Sequence, residues 1–126
     1  MHINARSLVK NFDSILIYIA SLQHTFTVIA ISETWITDSN DSLINIPGYN
    51  RVLNNRTEGR GGGVALFILN SLTFTIKSNC IVNVNGEVES IFVDISSKFI
   101  KRKQLELYTK LRIMILVHFQ MLLNYC

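Results

Sequence analysis

The sequence predicts a mixed α/β fold, and three stretches carry that expectation. From Lys10 to about His24 the residues Phe12, Ile15, Leu16, Ile19 and Leu22 recur at helical spacing, with Asp13, Ser14 and Gln23 on the opposite face. Thr27–Ser32 and Val64–Leu69 are near-continuous apolar runs without polar alternation, the pattern of strands covered on both faces. A helix leading into such a strand is the layering of an α/β protein.

The other elements follow from turn signals and periodicity. Residues 1–5 read as the end of a strand, and Thr37–Ser42 as a polar loop with a helical turn near Leu43. Pro47-Gly48 marks a turn into a short strand, Tyr49–Leu53, and a polar loop then runs from Asn54 to Arg60. Leu72, Phe74 and Ile76 alternate with Thr73, Thr75 and Lys77, the period of a half-exposed strand. Asn70-Ser71 between this strand and Val64–Leu69 fits a tight hairpin. Glu87–Ile95 supplies one more strand. These strands are too closely spaced for crossover helices, so much of the region is expected to be antiparallel.

The chain divides at about residue 97. Residues 1–97 hold the regular turns, whereas residues 98–126 are basic and then leucine-rich, with no glycine or proline, and read as a C-terminal helix. From Lys98 onward there are six basic residues and one acidic. The net charge of +3 is therefore a property of the tail, and the rest of the chain is acidic by two. A solvated tail explains this as well as a nucleic-acid partner does.

At 126 residues the chain allows one domain, and 48% hydrophobic content with 17% charged residues excludes a disordered class. Cys80 and Cys126 form neither a disulfide framework nor a metal spacing. No run is long and apolar enough to span a bilayer, and the start lacks the apolar segment of a secretory signal. These features give the expectation of an intracellular protein, cytoplasmic or nuclear, that is not secreted. The sequon at Asn55-Arg56-Thr57 is then accidental.

The chemistry centres on Glu33. The apolar run before it delivers a carboxylate to a strand end beside Ser32, Thr34 and Trp35. That placement suits a hard ligand for Mg²⁺, and it suits a solvated glutamate as well. Asn4 ends another candidate strand; if that strand neighbours the first, its amide can orient a phosphate or the ligand carboxylate, and otherwise it serves a local turn or cap. Gly61-Gly62-Gly63 lacks the Lys-Ser/Thr ending of a phosphate loop and precedes a strand, so close backbone approach or a bulge is expected. Trp35 and Tyr49 offer base-stacking faces or simple packing. His2, His24 and His118 form no metal spacing.

Together, Asn4-Ala5-Arg6-Ser7-Leu8, the helix, Ile31-Ser32-Glu33-Thr34-Trp35, Pro47-Gly48-Tyr49 and Arg60-Gly61-Gly62-Gly63-Val64-Ala65 resemble the opening of a LINE-type (non-LTR) retrotransposon endonuclease. That family belongs to the exonuclease–endonuclease–phosphatase superfamily and is similar to apurinic endonucleases and DNase I. The likeness continues to about Asp94. It implies the first half of a two-sheet α/β sandwich of DNase I type. It also implies Mg²⁺-dependent nicking of DNA for target-primed reverse transcription. By position, Glu33 is the implied metal ligand, and Asn4 the implied active-site asparagine at the metal and scissile phosphate. The family's later parts are absent: a tyrosine strand, an Asp/Asn pair and a Ser-Asp-His. A permitted back-translation of Gln104–Val117, shifted by two nucleotides, reads as the missing tyrosine strand, which suggests a frameshift between about residues 96 and 104.

The expectation is an inactive endonuclease remnant with DNA as its ancestral partner and weak Mg²⁺ binding. The alternative is a small non-catalytic interaction module that uses the C-terminal helix.

Overall fold

A computed structural model describes residues 1–84, 88–98 and 108–117. The strands are β1 (His2–Asn4), β2 (Val28–Ser32), β3 (Tyr49–Asn54), β4 (Val64–Leu69), β5 (Thr73–Ile76), β6 (Asn83–Val84), β7 (Val88–Lys98) and β8 (Tyr108–Val117). One α-helix, α1 (Leu8–Ser21), lies between β1 and β2. The α/β class is as expected, with two small sheets and one α-helix among the described residues.

The first sheet has the order β1-β2-β4-β3. β1 runs parallel to β2, with Asn4 opposite Ser32, and β4 is antiparallel to both β2 and β3. Alternation along β2 and β4 builds two cores from the same strands. Ile29, Ile31, Ala65 and Phe67 join Leu8 and Ile15 of α1 on one face. Val28, Ala30, Val64, Leu66 and Ile68 pack with Ile91, Val93 and Ile95 of β7 on the other. The first sheet is thus the middle of three layers, which is why its two central strands read as unbroken apolar runs. Each fully buried Ile, Leu or Phe in these layers contributes about 1.5–3 kcal/mol.

The helix begins at Leu8, two residues before the expected start at Lys10. The Ser7 hydroxyl accepts from Lys10 N at 3.4 Å, and a cap at that point lets Leu8 enter the helix fully buried. Phe12, Leu16 and Ile19 lie against the core, whereas Ile17 and Tyr18 face outward.

The second sheet has β7 at its centre. β5 and β6 pair along one side of β7, and β8 along the other, all antiparallel. Two expectations are corrected here. Asn70-Ser71 does not close a hairpin, because β4 and β5 belong to different sheets. The turn at Leu69–Leu72 instead carries the chain from one layer to the other, with Asn70 N held by Gly48 O.

The tail expected to be helical contains a strand. Residues Tyr108–Val117 pair along β7 from Lys98 back to Glu89. A leucine- and isoleucine-rich run without punctuation has no decisive period, and an open edge of β7 offers it a complete ladder of backbone partners. Over Tyr108–Val117 the element expected as a C-terminal helix is a strand. The division at residue 97 falls inside β7, which continues to Lys98. The basic stretch at 99–107 and the leucine-rich end at 118–126 lie outside the described residues. Among the described residues no helix is long and apolar enough to cross a membrane.

Candidate functional site

The parallel pairing of β1 and β2 brings both predicted site residues to one edge of the first sheet. Asn4 ends β1 opposite Ser32, and Glu33 follows Ser32 directly. Asn4 is exposed, and its side-chain oxygen accepts from Arg6 N at 3.3 Å, the local turn contact foreseen as its simpler role. Glu33 is half-buried.

Past β2 the backbone takes an uncommon path. Glu33 has φ 56° and Trp35 φ 54°, both in the left-handed region. Such residues cost about 1–3 kcal/mol each unless their surroundings hold them. Here bonds hold the segment from both sides. Ser7 N donates to Glu33 O at 2.9 Å and Leu8 N to Thr34 O at 2.8 Å, so the start of α1 is spent on this turn. On the other side Thr34 N donates to Gly63 O at 3.2 Å and Trp35 N to Gly62 O at 2.9 Å.

That path points the Glu33 carboxylate at two donors. Trp35 Nε1 donates to Glu33 Oε2 at 2.9 Å, and Gly62 N donates to the same oxygen at 3.1 Å. Arg60 stands over the Trp35 ring, its Cζ 5.8 Å from the centroid. Gly61, Gly62 and Gly63 have φ of +87°, +71° and +80°. A Cβ on Gly63 would lie 2.5 Å from Thr34 Oγ1, and one on Gly62 would overlap the Arg56 guanidinium. The glycine run is a close backbone approach, as its sequence suggested, to the Arg56 guanidinium and Thr34.

A second carboxylate lies beyond the loop, and sequence reasoning missed it. Glu89 on β7 is fully buried. Arg56 Nε donates to its Oε1 at 2.6 Å and Arg56 Nη2 to its Oε2 at 3.1 Å, and Gly63 N adds a bond at 3.3 Å. A buried charge is tolerated only when paired and hydrogen-bonded in this way. The Glu89 hydrogen bond is the main reason that Arg56 holds its proton more tightly than an ordinary arginine; desolvation opposes it, and the charges of Glu89 and Glu33 assist it. One signal was available: Glu89 lies in a strand otherwise carrying Val88, Ile91, Val93 and Ile95, and a carboxylate in such a strand calls for a partner.

Beside this ion pair, polar side chains tie the two sheets together. Asn54 Nδ2 donates to Val82 O at 2.8 Å and to Ser90 O at 3.0 Å. Asn83 Nδ2 donates to Asn55 O at 2.7 Å.

No family model matches the chain. A comparison with curated proteins likewise gives no match. The site is therefore read from its own geometry. Among the described residues no three His, Cys, Asp or Glu side chains stand together as a metal-holding group. What the edge offers a cation is Glu33, with Asn4 at the end of the neighbouring strand. Mg²⁺ takes only one or two protein carboxylates and keeps several waters; here Glu33 Oε2 accepts from Trp35 Nε1 and Gly62 N, and Asn4 Oδ1 from Arg6 N.

Proposed function

We propose that the chain is a remnant of a LINE-type endonuclease with a DNase I-like ancestry, and that Glu33 with Asn4 is its vestigial Mg²⁺ site. The observation that carries this reading is the β1–β2 register, with Asn4 and Glu33 at one edge and the carboxylate oriented by Trp35 and Gly62. The resemblance of the surrounding motifs supports it. Mg²⁺, when bound, would stabilise charge on a DNA phosphate and its leaving oxygen. Glu33 would hold the ion, and Asn4 would orient the phosphate. The resemblance runs to about Asp94, short of the family's Asp and His, which supply and orient the general base, so these residues alone are expected not to cleave DNA.

The test is a Mg²⁺ titration followed by Trp35 fluorescence, with supercoiled-plasmid nicking measured in parallel, on the native chain and Glu33→Ala. Mg²⁺ should perturb the native spectrum alone, and neither protein should nick. Equal responses in the two proteins would remove the metal site. Nicking that depends on Glu33 would show that the activity survives. The encoding DNA offers a separate check: read two nucleotides out of frame beyond residues 96–104, it should contain the tyrosine strand and the Ser-Asp-His.

A further inference from the structure

We infer that Arg56 and Glu89 are positioning residues for the Glu33 carboxylate, acting through the main chain of Gly62 and Gly63. This rests on Glu33 being the carboxylate of the site, as proposed above. The path is short and continuous. Glu89 binds Arg56 through both its oxygens and takes Gly63 N as a third donor. The Arg56 guanidinium fills the space that a Cβ on Gly62 would occupy. The neighbouring amide, Gly62 N, donates to Glu33 Oε2. The carbonyls of Gly62 and Gly63 in turn receive Trp35 N and Thr34 N, which hold the left-handed turn that aims Glu33.

A simple brace between the sheets would not need this pair. The apolar layer between β4 and β7 and the bonds from Asn54 to Val82 and Ser90 already join the sheets at this end. Burying an ion pair is costly and often no better for stability than apolar packing. What the pair adds is a fixed setting for two consecutive amides. With that setting lost, the glycine loop can turn, and Glu33 gives up the bond from Gly62 N.

Trp35 is the single tryptophan of the sequence, so its indole N–H gives one NMR signal that reports on the bond to Glu33. The experiment uses the full chain and two variants, Glu89→Gln and the double variant Arg56→Gln/Glu89→Gln. In both, the β4 amides from Ala65 to Ile68 should keep their dispersion, showing the fold intact. The indole signal should move upfield, and its exchange with water should quicken about tenfold or more. An unchanged indole signal in folded variants overturns the inference, whatever Mg²⁺ does. Unfolding of both variants also overturns it, because the pair would then be part of the general scaffold. A shifted indole signal with no Mg²⁺ response in any of the three proteins upholds the positioning role and removes the metal reading alone.

Discussion

The indole of Trp35 donates to Oε2 of Glu33 across a single intervening residue, and both residues have left-handed backbones. Neither conformation is favourable alone, and the bond between their side chains closes the turn that contains them. Trp35→Phe keeps a ring beneath Arg60 but removes the donor. It should lower the stability of the fold by about 1–2 kcal/mol, read as a lower urea midpoint with unchanged slope. A midpoint equal to that of the native chain would mean that the turn is held by its main-chain bonds alone.

Gly63 and Gly48 separate two costs of a left-handed glycine. Both have positive φ, but a Cβ on Gly48 meets open space, whereas on Gly63 it meets Thr34 Oγ1. Gly48→Ala should cost about 1–2 kcal/mol for conformation alone. Gly63→Ala should add about 1–3 kcal/mol of overpacking. Thermal unfolding of the two variants side by side measures the difference.

Arg56→Ala leaves the Glu89 charge buried and unpaired, which should cost about 3–5 kcal/mol. The double change Arg56→Gln/Glu89→Gln removes both charges and should cost less. The pH dependence follows from the raised Arg56 value. Its contribution is complete below the ordinary arginine value and is lost only as pH rises through the still higher folded-state value. The gap in stability between the native chain and the double variant should therefore stay flat from about pH 7 to about pH 10. A gap that closes steadily over this range would show that another group controls the pair.

Ending the chain after Lys98 strips β8 from β7 along the whole of their pairing. A long unpaired edge beside an apolar layer is a template for association. The truncated protein should scatter light at concentrations where the full chain stays clear. Equal clarity would show that the edge protects itself.

Much of the fold could be read from local pattern because its two central strands are buried on both faces. Thr27–Ser32 and Val64–Leu69 could hardly be anything else, and the spacing of Phe12, Ile15, Leu16 and Ile19 left little choice for α1. Glu33 stood out for the same reason, as a charge ending an apolar run. What stayed hidden depends on contacts between distant parts of the chain. Arg56 and Glu89 lie 33 residues apart, and nothing near Arg56 distinguishes it from a loop cation. The Asn70-Ser71 turn suits a hairpin or a change of layer equally well, and only the packing of β5 on β7 decides. Residues Tyr108–Val117 have a composition that either helix or strand can use, and the open edge of β7 settles which.

The glycine loop hands one amide to Glu33 and the next to Glu89, so a single stretch of backbone belongs to two acidic groups in different layers. Any breathing that parts the sheets pulls on Gly63 and reaches Glu33 one peptide later. The exposed edge and the deep ion pair should therefore open and close as one unit. In hydrogen exchange, Gly62 and Gly63 would share a rate with Trp35's indole rather than with the polar loop that precedes them.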